Sequence, residues 1–196
     1  MEQDSLMELL MGRRTFRRFD EQRQIPCEVV EKIKHSARLA SSAANRQPLR
    51  YIYVRDKETV NKVFDLTAWG GAIPNGEGRP KVGERPTMFV VVLYDKSLYL
   101  KKFTDFDAGL AVSNMTLAAH ECGVGSCIIG SVNIEKLKAL LGVSEELEVS
   151  VAVAFGYPTH KSRIEEARDG DVKYYMDENR DYVVPKRTDE DTVTEI

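Results

Sequence analysis

The chain has no run of apolar residues near the roughly 20 that a bilayer-crossing helix needs. Its opening residues, Met1-Glu2-Gln3-Asp4, are acidic and carry no signal-peptide pattern. Cysteine is scarce: Cys27, Cys122 and Cys127 make an odd number, and the Gly-Val-Gly-Ser between the last two fits neither zinc-ligand nor thioredoxin spacing. Free thiols in a reducing cytoplasm are the expectation, with Cys122 and Cys127 as small buried apolar groups. The three histidines, His35, His120 and His160, are scattered without ligand spacing, so no metal is expected. No sign of charge dominates: the net charge of −3 gives no general reason to expect nucleic acid as a partner. Internal repeats and low-complexity tracts are missing too.

What is present suits a compact globular protein of 196 residues, 42% apolar and 30% charged. A first helix is expected over residues 4–12 and a second from Pro26 to about Ala40, with Val29, Val30, Ile33, Ala37 and Ala40 at helical spacing. Ser41-Ser42-Ala43-Ala44-Asn45 reads as a loop, Leu49–Val54 as a strand and residues 57–66 as a short helix. Residues 68–87 are rich in glycine and proline, and a loop of that length is usually a functional or mobile segment. Met88–Leu93 reads as a buried strand. Phe103–Cys122 is the strongest helix, ended by Gly123. Asp105 and Asp107 do not share a helical face, and one of them is expected to cap that helix. Ser126–Gly130 is a buried turn or short strand, 133–141 a helix and 147–155 a strand. From Thr159 the chain reads as polar turns, then a short extended stretch, Tyr182–Arg187, and a frayed acidic tail at 188–196. Alternating strands and helices point to an α+β fold with a mostly antiparallel or mixed central sheet flanked by helices. No strand leads into a glycine-rich phosphate turn, which argues against a Rossmann unit.

Against this background Gly12-Arg13-Arg14-Thr15-Phe16-Arg17-Arg18-Phe19 stands out, with four arginines in six positions around one hydroxyl. Guanidinium groups are planar, permanently charged and matched to phosphate oxygens, so one reading is a bound phosphate. The other is a basic helix end paired with nearby acids such as Asp20 and Glu21.

Several segments, in order, resemble the FMN-dependent nitroreductase-like oxidoreductases. Arg13-Arg14-Thr15-Phe16-Arg17 is similar to that family's opening phosphate motif. Ser41-Ser42-Ala43-Ala44-Asn45-Arg46-Gln47-Pro48 is similar to its second motif, although Ser41 replaces the usual proline and Leu49 the usual aromatic. Asp107-Ala108-Gly109 with Asn114 resembles the central helix, Gly123–Gly130 the turn at the flavin edge, and Val153–Pro158 the late strand. Lys186-Arg187 sits where the family keeps a C-terminal basic pair.

The resemblance implies one FMN-binding domain over 1–187, in an intertwined homodimer with flavin sites at the interface. Arg13, Arg17 and Lys186-Arg187 would meet the phosphate, with Thr15 adding a hydroxyl and Arg14 reaching the ring or ribityl chain. Asn45 and Gln47 are amides suited to the alternating donors and acceptors of a flavin edge, and Ser41, Ser42 and Ala43 would line the ring. At Ile128, Ile129 and Gly130 the backbone would meet the reactive flavin nitrogen. No side chain need act as a base, because the flavin does the chemistry. Trp69, Phe103 and Phe106 either form an apolar floor for flat substrates or simply pack. The implied activity is electron transfer from NADH or NADPH, through FMN, to a small acceptor such as a nitroaromatic or quinone, with ping-pong kinetics. A flavin-binding module without turnover, an FMN enzyme of dehalogenase or flavin-fragmenting type, and a non-catalytic domain binding an acidic partner are the alternatives.

Overall fold

The computed structural model describes residues 3–196, with side chains from Leu6 onward; Met1 and Glu2 lie outside the described residues. Helix α1 (Gln3–Gly12) and helix α2 (Cys27–Arg38) precede strand β1 (Leu49–Val54) and helix α3 (Lys57–Asp65). Strand β2 (Met88–Asp95), helix α4 (Phe103–Glu121), strand β3 (Gly125–Ile129), helix α5 (Ile134–Leu141) and strand β4 (Leu147–Gly156) follow. The C-terminal part holds β5 (Ser162–Glu166), β6 (Tyr175–Met176), β7 (Tyr182–Lys186) and the short helix α6 (Asp189–Thr192).

The main sheet has the order β1-β2-β4-β3, and every neighbouring pair is antiparallel. Side chains alternate across a strand, so a strand covered on both faces must be apolar throughout. β2 shows this. Phe89, Val91 and Leu93 join Val60, Val63 and Phe64 of α3 on one face, with Trp69 and Leu137. Met88, Val90 and Val92 join α2 (Val30, Ile33, Ala37) and α4 (Ala108, Val112, Met115, Ala119) on the other. Local signals set the element ends. Asp56 and Asn133 accept hydrogen bonds from the first-turn N–H groups of α3 and α5, and Gly142 closes α5 at φ 62°.

Two expectations for the C-terminal part need correction. Residues 159–181 are not turns alone, because β5, β6 and β7 form a second sheet of order β5-β7-β6, with β5 and β7 parallel. Strands of two and five residues give too little periodicity to be seen in sequence. Nor is the acidic tail wholly frayed. Thr188 and Asp191 form a reciprocal capping box that starts α6, and its three acidic residues suit a helix N-terminus.

The loop between α3 and β2 is tied down on two sides. Ala68 N–H donates to Ser131 O, Arg79 Nη1 donates to Thr67 O, and Ala72 N–H donates to Tyr174 Oη. Among the described residues, no helix is long and apolar enough to cross a membrane.

Candidate functional site

The arginine segment is held by two phenylalanines. Phe16 and Phe19 are buried, and each presses on a glycine of the main sheet. A Cβ on Gly125 would lie 2.9 Å from the Phe16 ring, and one on Gly156 would lie 2.9 Å from the Phe19 ring. Glycine is therefore required for the segment to cross the sheet end this closely. Phe16 N–H donates to Ser126 O at 2.8 Å, and Thr15 forms a parallel bridge to Ser126. The segment thus lies alongside β3, the edge strand.

In this placement Asp20 and Glu21 do not pair with the arginines. Glu21 Oε2 accepts from the backbone N–H of Gly83 and Arg85, and Asp20 Oδ1 accepts from Gln22 N–H. Among the described residues no carboxylate pairs with Arg13, Arg14 or Arg17. The Nε atoms of Arg13 and Arg14 are buried with no hydrogen-bond partner. Arg14 Nη2 donates to Leu10 O at 2.6 Å, which satisfies a carbonyl at the end of α1. Burial, then the neighbouring Arg13, holds the Arg14 guanidinium below its ordinary pKa. His120 is lowered as well, by burial and by Arg13 and Arg14. Among the described residues, the positive charge of Arg13, Arg14 and Arg17 is uncompensated by any carboxylate.

Arg18 differs from its neighbours. It is 6% exposed, donates to Arg180 O at 2.6 Å and lies 3.8 Å from Glu84. Its role is to fasten the segment to the C-terminal part. Arg17 is half-buried, with its guanidinium carbon 4.6 Å from the Tyr174 ring centre and 4.9 Å from that of Tyr182.

Beside this cluster the edge of β3 is open. Ser126 turns its carbonyl outward to Phe16. Backbone direction alternates along a strand, so Ile128, two residues on, also turns its N–H and C=O away from β4. Its side chain is 49% exposed, while Ile129 is buried and Gly130 is exposed. Cys127 is buried, and burial pushes its thiol up to about 11 against the pull of Arg17, which fits a packing group. Cys122 is only half-buried, short of the full burial expected for it.

The Ser41–Gln47 loop is built elsewhere. Ser42 Oγ donates to Asp107 Oδ2 at 2.7 Å, Ala43 N–H donates to Asp107 Oδ1 at 2.9 Å, and Gln47 N–H donates to Ser42 Oγ at 3.0 Å. Asp107 therefore anchors this loop. It does not cap α4, whose N-cap is Lys102 with no side-chain cap; this corrects the sequence expectation. Ala44, Asn45 and Gln47 have φ values of 50°, 52° and 49°, three non-glycine residues in the left-handed region. Such strain persists only where surroundings enforce it, and it tends to gather at functional sites. Gln47 Nε2 donates to Asn45 Oδ1 at 3.1 Å, and both amides are exposed. Ser41, Ser42, Gln47 and Asp107 line a cavity of about 410 Å³ against α2 and β1.

The two halves do not meet within one protomer. Asp107 lies near the start of α4, whereas Gly12, at the head of the arginine segment, packs on His120 near its end. Thirteen residues of helix separate these anchors, about 20 Å at 1.5 Å per residue. Lys186 and Arg187 are likewise not brought to the arginines by any hydrogen bond or ion pair among the described residues. Lys186 ends β7, four residues beyond Tyr182, or about 13 Å along the strand. Trp69 is 8% exposed, packs on Phe64 and donates from Nε1 to Thr67 Oγ1 in the core on the α3 face. Phe103 and Phe106, 54% and 65% exposed, lie on α4 across the sheet. One protomer therefore does not gather Trp69, Phe103 and Phe106 into a single floor. The contacts of Asp107 with the Ser42–Gln47 loop and of Tyr174 and Tyr182 with Arg17 were not expected from the sequence. Asp107 was named only in the segment resembling the central helix and as a possible cap, and a further signal was its place as a carboxylate on the buried side of α4.

Known proteins supply independent bearings. A model of the Nitroreductase family matches residues 10–157. The chain is 31% identical over 170 residues to an Archaeoglobus fulgidus protein provisionally named an NADH dehydrogenase/NAD(P)H nitroreductase, covering 85% of this chain and 92% of that one. It is 24% identical over 185 residues to the FMN reductase (NADPH) of Bacillus subtilis, covering 81% and 68% of the two chains. Its fold matches the FMN-dependent nitroreductase of Clostridium difficile R20291 with a TM-score of 0.67 at 24% identity, over 84% of this chain and 93% of that one. With three-quarters of its length matched by the family model and a relative of this identity along most of both chains, the protein belongs to the nitroreductase family.

Proposed function

We propose that this chain is an FMN-dependent oxidoreductase that works as a homodimer, taking electrons from NADH or NADPH and passing them to a flat acceptor such as a nitroaromatic or quinone. The observation that carries the reading is the group Arg13, Arg14 and Arg17 beside the open edge of β3, with two buried Nε atoms unpartnered and, among the described residues, no acid paired with it. A phosphomonoester of roughly −1.5 to −2 charge matches that deficit. FMN fits the rest of the chemistry: outward backbone N–H at Ile128, a glycine at 130 that allows close approach, and paired amides at Asn45 and Gln47 for a ring edge. When bound, FMN supplies the acceptance and donation of a hydride.

In this reading Arg13 and Arg17 neutralise the phosphate and Thr15 adds a hydroxyl contact. Arg14, half committed to the Leu10 carbonyl, reaches the ribityl chain or ring. Lys186 and Arg187 add positive charge from the C-terminal strand. The strained Ser42–Gln47 turn presents its amides to the flavin of the partner protomer, because the two halves stand about 20 Å apart on one chain. Ser41, Ser42 and Ala43 border the ring, and Ile129, buried beneath Ile128, keeps the strand in place. Donor and acceptor occupy the same place in turn, which gives ping-pong kinetics. Phe103 and Phe106 lie close to the proposed subunit contact, and Trp69 supports the loop at 68–87 from below. The absorption spectrum of the purified protein tests the reading. Flavin bands that bleach on anaerobic addition of NADH or NADPH and return with a quinone are expected. A colourless protein that takes up no added FMN overturns it, and flavin bands untouched by either nicotinamide leave only a flavin-binding module.

A further inference from the structure

We infer that Tyr174 and Tyr182 are positioning residues for Arg17, fixing its guanidinium so that the N–H edge meets the flavin phosphate; this rests on the FMN reading above. Arg13 and Arg17 are the members of the cluster whose side chains are held by neither a backbone carbonyl nor a carboxylate in the described hydrogen bonds and ion pairs, and of the two Arg17 is the one set against aromatic rings. Arg14 is tied to Leu10 O, and Arg18 is tied to Arg180 O and Glu84. The support for Arg17 is aromatic instead. Its guanidinium carbon rests in the notch between two rings, 4.6 Å from Tyr174 and 4.9 Å from Tyr182, whose centres are 6.3 Å apart.

A cation over a ring face is attracted by the ring's quadrupole and uses no N–H donor. A carboxylate would instead occupy the fork that binds phosphate and cancel its charge. Two tyrosines therefore restrict the rotamers of a long side chain while leaving both its charge and its donors available. The rings are themselves fixed. Tyr182 is 1% exposed and packs on His160 at 5.0 Å, which packs on Phe16 at 5.5 Å. Tyr174 Oη accepts from Ala72 N–H at 3.4 Å, in the loop between α3 and β2. What the C-terminal part delivers to Arg17 is thus a pair of ring faces.

Titration of the full-length protein, freed of flavin, with FMN and with riboflavin tests this, since the two ligands differ only by the phosphate. Tyr174 is the better target because Tyr182 is wholly buried and its loss threatens the fold. Tyr174→Leu is expected to weaken FMN binding about tenfold and leave riboflavin binding within about twofold of wild type. Tyr174→Phe keeps the ring face, gives up the Ala72 contact and is expected to bind both ligands as wild type does. Equal weakening of both ligands by Tyr174→Leu, or unchanged FMN binding, overturns the positioning role. A Tyr174→Phe variant as weak for FMN as Tyr174→Leu overturns it as well, because the hydroxyl would then be the active group. Wild-type protein that binds FMN no tighter than riboflavin overturns the phosphate reading itself, and the inference with it.

Discussion

Ser42 and Asp107, 65 positions apart in sequence, share a 2.7 Å hydrogen bond, and the second oxygen of the same carboxylate takes Ala43 N–H. One buried side chain thus holds the entrance to a turn in which three non-glycine residues have positive φ. Replacing Asp107 with Ala leaves a hydroxyl and a backbone N–H without their acceptor. The expected cost is about 3–6 kcal/mol of stability, from two hydrogen bonds to one carboxylate at about 1.5–3 kcal/mol each. Urea unfolding measures it. FMN affinity is expected to fall along with it, since Asn45 and Gln47 lose their fixed frame. Wild-type stability in this variant would show that the turn holds itself.

Adjacent arginines are expected to behave differently. Arg17→Ala removes a charge-assisted phosphate contact worth about 1.5–3 kcal/mol, so FMN binding weakens roughly 10- to 150-fold while the unfolding midpoint stays close to wild type. Arg18→Ala leaves the Arg180 carbonyl unpaired and opens the junction between the arginine segment and the C-terminal part, a stability loss of about 2 kcal/mol. Fluorescence titration and thermal unfolding of both variants separate the roles. Loss of FMN binding only in Arg18→Ala would reverse the assignment.

Long periodic elements were legible in the sequence because period alone carries them. α2, α4 and the core strands β2 and β4 fall within a few residues of expectation, and α4 closes next to Gly123. The arginines were legible as a cluster, but their division of labour was not, because it depends on Glu84, Leu10 and two tyrosines brought in from distant segments. Asp107 was misread for the same reason: helix position suggested capping, whereas the partner that claims it lies 65 residues earlier. Lys186-Arg187 matched a pattern by position, and the extended stretch that carries them was legible too, but its pairing with β5 and β6, which fixes where they lie, was not.

His160 gives the fold a predictable response to acid. It is packed between Phe16 and Tyr182, and both of its ring nitrogens lack partners. Burial, followed by the nearby Arg18 charge and also Arg17, pushes its imidazole down to about 4, with the Arg18 backbone and Asp181 pulling the other way. The unfolded chain titrates near 6.5, so between these values it binds more protons than the native state, and stability falls as pH falls. The contribution is fully present above about pH 6.5 and loses about 2 kcal/mol by pH 5. His160→Phe keeps a ring in the same place and is expected to flatten that slope, as read from urea midpoints at pH 7.5 and pH 5. An unchanged slope in the variant assigns the acid sensitivity to other groups.

A second protomer is expected to cover the outer side of α4. Phe103, Phe106 and Leu110 are exposed on α4 at helical spacings of three and four, opposite the side that buries Ala108, Ala111, Val112 and Met115. Leu6, Met7 and Met11 of α1, which touches α4, and Ile128 of β3 are exposed as well. A helix apolar on all sides is one that is covered on all sides. An apolar stripe such as Phe103, Phe106 and Leu110 is uncommon on a lone soluble chain. In the proposed homodimer, a second copy laid on this stripe would bring one chain's Ser42–Gln47 turn toward the other's arginines. Phe106→Asp costs an isolated protomer little, since the side chain is 65% exposed there. In a dimer it buries a carboxylate at an apolar contact, so sedimentation equilibrium is expected to show a monomer, with FMN affinity reduced at least tenfold because each site loses half its walls. A variant that stays dimeric with wild-type affinity would place the interface elsewhere. A monomer that still binds FMN as tightly as wild type would mean that one chain completes the site, against the 20 Å or so separating its halves.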